Sequence, residues 1–226
     1  MAALAAVLLA APMLLRPDDV PAPHAPWAPL DPAASLTWAT PWKIARLDRA
    51  PSACRRALDR AGARATPLPD RDFAPACHIR DAVRLSRLGA ARLAAEAVRC
   101  NIALRLALWE RHVLQPAAKD LLGSPVGEIR HFGAYSCRAI RTPDGTARRM
   151  SEHATANAFD IAGFRLADGR EISLVKDWAG GGREADFLRI AHRGLCRLFR
   201  VTLGPSYNAL HADHFHVDEG PFRTCR

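Results

Sequence analysis

Three of the chain's nine histidines fall within six residues, His211-Ala212-Asp213-His214-Phe215-His216. A second polar cluster lies upstream, Ser151-Glu152-His153-Ala154-Thr155-Ala156-Asn157-Ala158-Phe159-Asp160. Imidazoles and a carboxylate together are the donor set of a catalytic zinc site, where three protein ligands leave a further position open for water. His214 and His216 are two residues apart, so on a strand both point to one face while Phe215 and Val217 point to the other. Asp160 interrupts an apolar run from Ala158 to Phe164, where an unpaired charge is strongly unfavourable. A bound cation removes that penalty, and so would an Arg or backbone partner.

The elements that must position these residues follow from periodicity and turn signals. The pattern predicts a helix near Ser52–Ala61, an extended segment near Val83–Leu88, and a longer helix starting at Ala91 or Cys100 and reaching Leu121 before Gly123. Strands are predicted near Gly127–Phe132, Arg138–Thr142, Ala158–Phe164 and Glu171–Val175, with the stretch Leu166 to Arg170 as the turn between the last two. Arg183–Phe199 has helical spacing, with Phe187, Ile190, Ala191, Leu195 and Leu198 on its buried face. No internal repeat is present.

The same residues carry a family resemblance. Ser-x-His-x(6)-Asp followed by His-x-His resembles the metallopeptidases that include D-Ala-D-Ala carboxypeptidases, D-Ala-D-Ala dipeptidases and penicillin-insensitive murein endopeptidases. Tyr135-Ser136-Cys137-Arg138, Ser151-Glu152-His153, Leu203-Gly204-Pro205, the 211–216 cluster and Cys225-Arg226 resemble the bacterial extensin-like C-terminal domain family. The resemblance spans Trp42 to Arg226. It implies an α+β fold in which a small antiparallel sheet, flanked by helices, carries a zinc ion held by His153, Asp160 and His216. Carboxypeptidase relatives usually have Gly where Ala156 stands, and Ala is small enough for the loop to survive.

The resemblance also suggests roles around the metal. His214 has the spacing of the His-x-His relatives and is favoured as general base. Asp213 lies three residues before the last ligand, where carboxypeptidase relatives place a catalytic Glu, but a regular strand would turn it away. His211 matches an extra active-site histidine of the murein endopeptidases; an exposed loop histidine is the plainer alternative. Arg138 matches an Arg preceding the Ser-x-His motif, and a guanidinium suits an oxyanion or a substrate carboxylate. Only Lys43, Lys119 and Lys176 among the 32 basic residues are not Arg, so one Arg alone carries little weight. Ser151 and Glu152 are candidates for orienting His153 through hydrogen bonds.

The rest of the chain bears on compartment and partners. Residues 1–16 resemble a secretion signal or membrane anchor: Ala2 to Leu15 is apolar but shorter than the roughly 20 residues of an ordinary span, and no Lys or Arg precedes it. Residues 17–41, rich in Pro and Ala, read as an extended linker, leaving 42–226 as one domain of about 185 residues. Six cysteines without a C-x-x-C pair suit three disulfides in an oxidising space. Pairing of neighbouring elements predicts Cys54–Cys77, Cys100–Cys137 and Cys196–Cys225. A catalytic Cys137 is the weaker rival, since the histidines already have metal spacing.

A net charge of +9 admits a nucleic acid, a membrane surface or an acidic polymer as partner. The basic residues are dispersed and form no nucleic-acid motif. The combined expectation is an exported or membrane-tethered, monomeric zinc peptidase acting on peptidoglycan peptides. The alternative from another class is a zinc-stabilised wall-binding module without turnover. A DNA-binding protein would instead show affinity that falls steeply with salt.

Overall fold

The structure, a computed structural model, describes residues 19–226, so the signal-like segment 1–16 lies outside the described residues. In chain order come helices α1 (Thr40–Leu47) and α2 (Pro51–Arg60), then strands β1 (Arg64–Pro67), β2 (Arg71–Ala74), β3 (Cys77–Ile79), β4 (Ala82–Leu88) and β5 (Ala91–Arg99). Helix α3 (Cys100–Trp109) runs through a π-helical turn, Glu110–Leu114, into α4 (Gln115–Leu122). Strands β6 (Val126–Gly133), β7 (Ala139–Thr142), β8 (Gly145–Met150), β9 (Ala158–Leu166) and β10 (Glu171–Ser173) follow. Helices α5 (Leu174–Asp177) and α6 (Arg183–Leu198) precede β11 (Val201–Leu203), β12 (Phe215–Asp218) and β13 (Thr224–Cys225).

The fold is α+β, but its sheet is larger than expected and mixed. Nine strands run in the order β1-β4-β5-β6-β9-β12-β11-β13, with β10 also paired to β9. The β5–β6 and β11–β13 pairs are parallel and the others antiparallel. Several of these strands are only two to four residues long, too short for a periodicity to register. Strand β5 is rich in Ala and Arg, a helix-favouring composition that pairing with β4 and β6 overrides. The long helix therefore starts at Cys100, the later of the two expected positions, and Gly123 ends it in a left-handed conformation at φ 68°. Beyond β10, Leu174 and Val175 are helical rather than extended, with the Asp177 carboxylate accepting from the Ser173 N–H.

Every residue of α3 is buried, so this helix is the axis of the core rather than a surface helix with one apolar face. Trp109 packs on Phe164 of β9 and donates from its indole to the Ala191 carbonyl of α6. Phe164 in turn meets Phe187 of α6, so the two helices cover one face of the sheet. Residues 19–39 do not behave as a free linker. Leu30 belongs to the core cluster, and Arg46 donates to the carbonyls of Trp27 and Ala28. A buried leucine and these backbone contacts hold the proline-rich stretch against the domain.

The three disulfides are Cys54–Cys100, Cys77–Cys137 and Cys196–Cys225. Only the last agrees with the expected pairing. Cys100 opens α3, which packs against α2 and therefore finds Cys54, while the β2–β3 hairpin carries Cys77 to the loop before β7. Neighbours in sequence are not neighbours in space here. Closing loops of 46 and 60 residues restricts the unfolded chain by about 4 kcal/mol each in the chain-entropy account. Cys137 is thus bonded, and no cysteine among the described residues is free to act as a nucleophile.

A buried ion cluster ties the helices to the C-terminal segment. Arg105 of α3 binds both carboxylate oxygens of Asp48 at 2.9 Å and Glu219 at 2.9 Å, and donates to the Leu198 carbonyl. Burial pushes the Glu219 carboxyl up to about 7 against the opposing pull of Arg105. A folded-state value above the ordinary 4.5 means that the group's contribution is full below pH 4.5 and lost as pH rises through 7. Glu219→Gln, which fixes a neutral side chain there, should therefore remove a fall in stability on the order of 2–3 kcal/mol between pH 5 and pH 8. Urea denaturation of both proteins at the two pH values measures this, and an identical pH dependence in the variant would refute the assignment.

Candidate metal centre and its cleft

Strand β9 lies between β6 and β12, and its register decides what faces the site. Ladder β6–β9 pairs Arg130 with Gly163 but His131 with Ile161, which leaves Ala162 as an extra residue, a β-bulge. The bulge reverses the alternation. Phe159, Ile161, Phe164 and Leu166 are all buried in the core, while Asp160 is left on the opposite side. Across the β9–β12 ladder Asp160 is the direct partner of His216, flanked by the core pairs Phe159–Val217 and Ile161–Phe215. Gly163 is required where β10 joins, since a Cβ there would lie 2.5 Å from the Ile172 carbonyl oxygen.

His153 arrives from a one-turn 3-10 helix, Glu152–Thr155, whose N-cap Ser151 accepts the His153 N–H at 3.3 Å. Ala156 closes that turn at φ 52°, fully buried, with its N–H on the His153 carbonyl. A glycine would take this conformation without strain. An Ala is held in the left-handed region at a penalty of about 1 kcal/mol, and the turn persists.

His153 Nε2, His216 Nδ1 and Asp160 Oδ1 converge: the separations are 3.2 Å between the two nitrogens, 3.2 Å from His153 to Asp160 and 2.8 Å from His216 to Asp160. The outer ring nitrogens fix the tautomers. His153 Nδ1 donates to the Ala134 carbonyl at 3.0 Å, and His216 Nε2 donates to Asp218 Oδ2 at 2.8 Å. His153 Nε2 is then a lone pair, and His216 Nδ1 presents the second proton of a charged ring to Asp160. Burial opposes the charged forms, yet Asp160 and Asp218 outweigh it at His216 and raise that imidazole to about 9. Burial likewise opposes charge on Asp160, and the two histidines overcome it and hold the carboxyl far below its ordinary range. The pocket is built for positive charge. Ligands about 2.0–2.1 Å from a tetrahedral zinc stand about 3.3 Å apart, so a two-nitrogen, one-oxygen set at these separations fits such an ion.

The site forms the floor of a cleft of about 740 Å³. His214 precedes β12 rather than belonging to it, yet its Nε2 lies 3.7 Å from Asp160 Oδ1 and its Nδ1 donates to Asp213 at 2.8 Å. Asp213 therefore does not turn away, as a regular strand would require, because residues 211–214 form a turn; it lines the cleft and holds the His214 ring. His211 lines the same cleft, 5.2 Å from the His214 ring, with its Nδ1 on Asn208. Burial, then the neighbouring His216 and His214, lower it to about 4, so it is neutral at ordinary pH. Arg138 also lines the cleft, where burial and then repulsion from Arg141 disfavour its charge while Asp160 supports it.

Ser151 reaches the backbone of His153, not its ring, and Glu152 accepts from Asn157 instead. The groups that orient the two imidazoles are the Ala134 carbonyl and Asp218. Asp218 had a signal in the sequence, since it is two residues beyond His216 on the same strand and so shares its face. A backbone carbonyl from residue 134 has none.

An α+β domain with a buried His-Asp-His constellation under an open cleft is the class that fold and site define. The sequence matches the family described as extensin-like protein C-terminus over residues 52–226, and the chain belongs to that family. Neither a curated protein nor a solved structure matches it.

Metal titration tests the constellation. Zinc-equilibrated, dialysed protein should retain about one ion, and His153→Ala, Asp160→Ala or His216→Ala should each lose it. Asp218→Asn should keep the ion but weaken it about 10–100-fold, because the ring it orients remains. Wild-type protein found free of metal by elemental analysis would count against the whole assignment.

Proposed function

We propose that this protein is a zinc-dependent peptidase acting on peptidoglycan peptides, as a carboxypeptidase or an endopeptidase. The convergence of two imidazole nitrogens and a carboxylate oxygen within 3.2 Å, beneath an open cleft lined by a His–Asp pair, is the observation that carries this reading. The resemblance of its motifs to the D-Ala-D-Ala carboxypeptidases and murein endopeptidases supplies the substrate class. In this reading His153, Asp160 and His216 hold zinc, which when bound acidifies a water and polarises a carbonyl.

The chain's own residues divide the remaining work. His214 takes a proton at Nε2, the nitrogen on the cleft side, because Nδ1 is committed to Asp213. Asp213 positions that ring and stabilises its charged form, as carboxylates beside catalytic imidazoles do. His211, neutral and with Nδ1 already donating to Asn208, is placed to contact substrate. Arg138 faces the cleft as the partner of an oxyanion or a peptide carboxylate.

Export belongs to the same proposal. Three disulfides among six cysteines favour an oxidising compartment, and an apolar N-terminal stretch would direct or tether the chain there. No helix among the described residues is long and apolar enough to cross a membrane.

Purified peptidoglycan incubated with zinc-loaded protein should release fragments that mass analysis assigns to one bond type. His214→Ala should keep zinc and lower turnover by roughly 10²–10⁴-fold, the worth of a positioned acid or base. Asp213→Ala should lower it less, because it acts through the His214 ring. Zinc and peptidoglycan binding with no cleavage by the wild type would leave a wall-binding module as the account.

A further inference from the structure

The charged groups lining the cleft fall into two unlike sets. Each of its carboxylates already has a partner: Asp160 has His153 and His216, Asp218 has His216 and the Gly220 N–H, Asp213 has His214, and Glu152 has Asn157. Its arginines do not. Arg138, Arg141 and Arg149 all line the cleft, and none forms a salt bridge among the described residues. Arg138 makes one long hydrogen bond to the adjacent Ala139 carbonyl, and Arg149 lies over the Phe222 ring at 4.6 Å.

Position separates Arg138 from the other two. Arg138 is half-buried and close enough to Asp160 to feel its charge. Arg141 and Arg149 are exposed residues of β7 and β8, a two-stranded ribbon apart from the main sheet that forms one wall of the cleft. The Phe222 face restrains the Arg149 guanidinium while leaving its donors available, as cation–π stacking does. Arg141 repels Arg138, and an anion brought to the cleft relieves that repulsion. Several arginines outside the cleft have acidic partners, Arg92 with Glu128, Arg130 and Arg165 with Glu171, Arg170 with Asp168 and Arg189 with Asp186, while others such as Arg84 form no salt bridge among the described residues.

We infer that Arg141 and Arg149 form an anion subsite on the ribbon wall that takes a second carboxylate of an acidic peptide, separate from the group that meets Arg138. The inference rests on the peptidase reading for the peptide backbone in the cleft, and extends it to substrate selection. A ligand with two carboxylates spanning floor and wall is selected over one with a single terminal carboxylate. The subsite acts in binding alone, so no turnover is needed to detect it.

Calorimetric binding to N-acetylated hexapeptides tests this, with a single Glu moved along an alanine background and a Gln series as control. At one or two positions Glu should bind about tenfold more tightly than Gln, the scale of a charge-assisted hydrogen bond. That gain should disappear in both Arg141→Gln and Arg149→Gln. It should survive in Arg84→Gln, an exposed arginine of β4 outside the cleft, which controls for the chain's overall charge. Equal binding of Glu and Gln at every position, or a gain that persists in both cleft variants, overturns the subsite. A gain that behaves as expected without any cleavage of peptidoglycan keeps the subsite and rejects only the peptidase reading.

Discussion

Two imidazole nitrogens and a carboxylate oxygen held within 3.2 Å of one another keep positive charge at the centre, as the second proton of His216 or as a bound cation. Much of the structure around residues 153, 160 and 216 exists to impose that condition. The Ala134 carbonyl and the Asp218 carboxylate take the outward ring protons, so His153 Nε2 faces inward as a lone pair and His216 meets Asp160 only as a charged ring. Ala134 is in turn fixed by its own N–H on Glu96, and Asp218 by the Gly220 N–H. The constellation is thus preorganised through partners at one remove, on which both the direction and the basicity of the imidazoles depend.

The sheet supplies the remaining constraint. A regular β9 would put Asp160 on the same face as Phe164 and Leu166, forcing either a carboxylate into the core or two large apolar side chains into the cleft. The extra residue at Ala162 removes the conflict. Phe164 then meets Trp109 and Phe187, and the core is continuous beneath the His-Asp-His constellation. A second register shift on β6, between His131 and Gly133, leaves the intervening Phe132 exposed at the cleft beside the His214 ring. Bulges beside a site re-aim single side chains without moving the strand, and both are used that way here.

This explains what the sequence could and could not reveal. Asp160 was legible because a carboxylate in an apolar run is costly, while its grouping with His153 and His216 followed from the resemblance of the motifs. The helices at Pro51–Arg60 and Arg183–Leu198 were legible from apolar spacing and their boundary residues. The bulge was not, because Ala158 to Leu166 reads equally well as a plain buried strand. The place of Asp213 was misjudged by extending a strand backward through His214, when the ladder begins at Phe215. Sheet size and disulfide pairing depend on which distant segments meet, and short strands such as Val201–Leu203 carry no pattern from which that could be read.

The disulfides follow the same logic as the hydrogen bonds, at longer range. The β2–β3 hairpin is not part of the main sheet, and Cys77–Cys137 staples it to the loop just before Arg138 and the ribbon. Cys196–Cys225 joins α6 to the last strand, whose approach carries Phe222, the ring beneath Arg149. Cys54–Cys100 instead joins α2 to the start of the core helix. Two bridges therefore restrain walls of the cleft and one restrains the core. A ribbon and a C-terminal segment with little buried area of their own would otherwise move independently of the floor. Covalent ties make floor and walls a single body, which is the condition under which separated anionic groups on one ligand can be read at a fixed spacing.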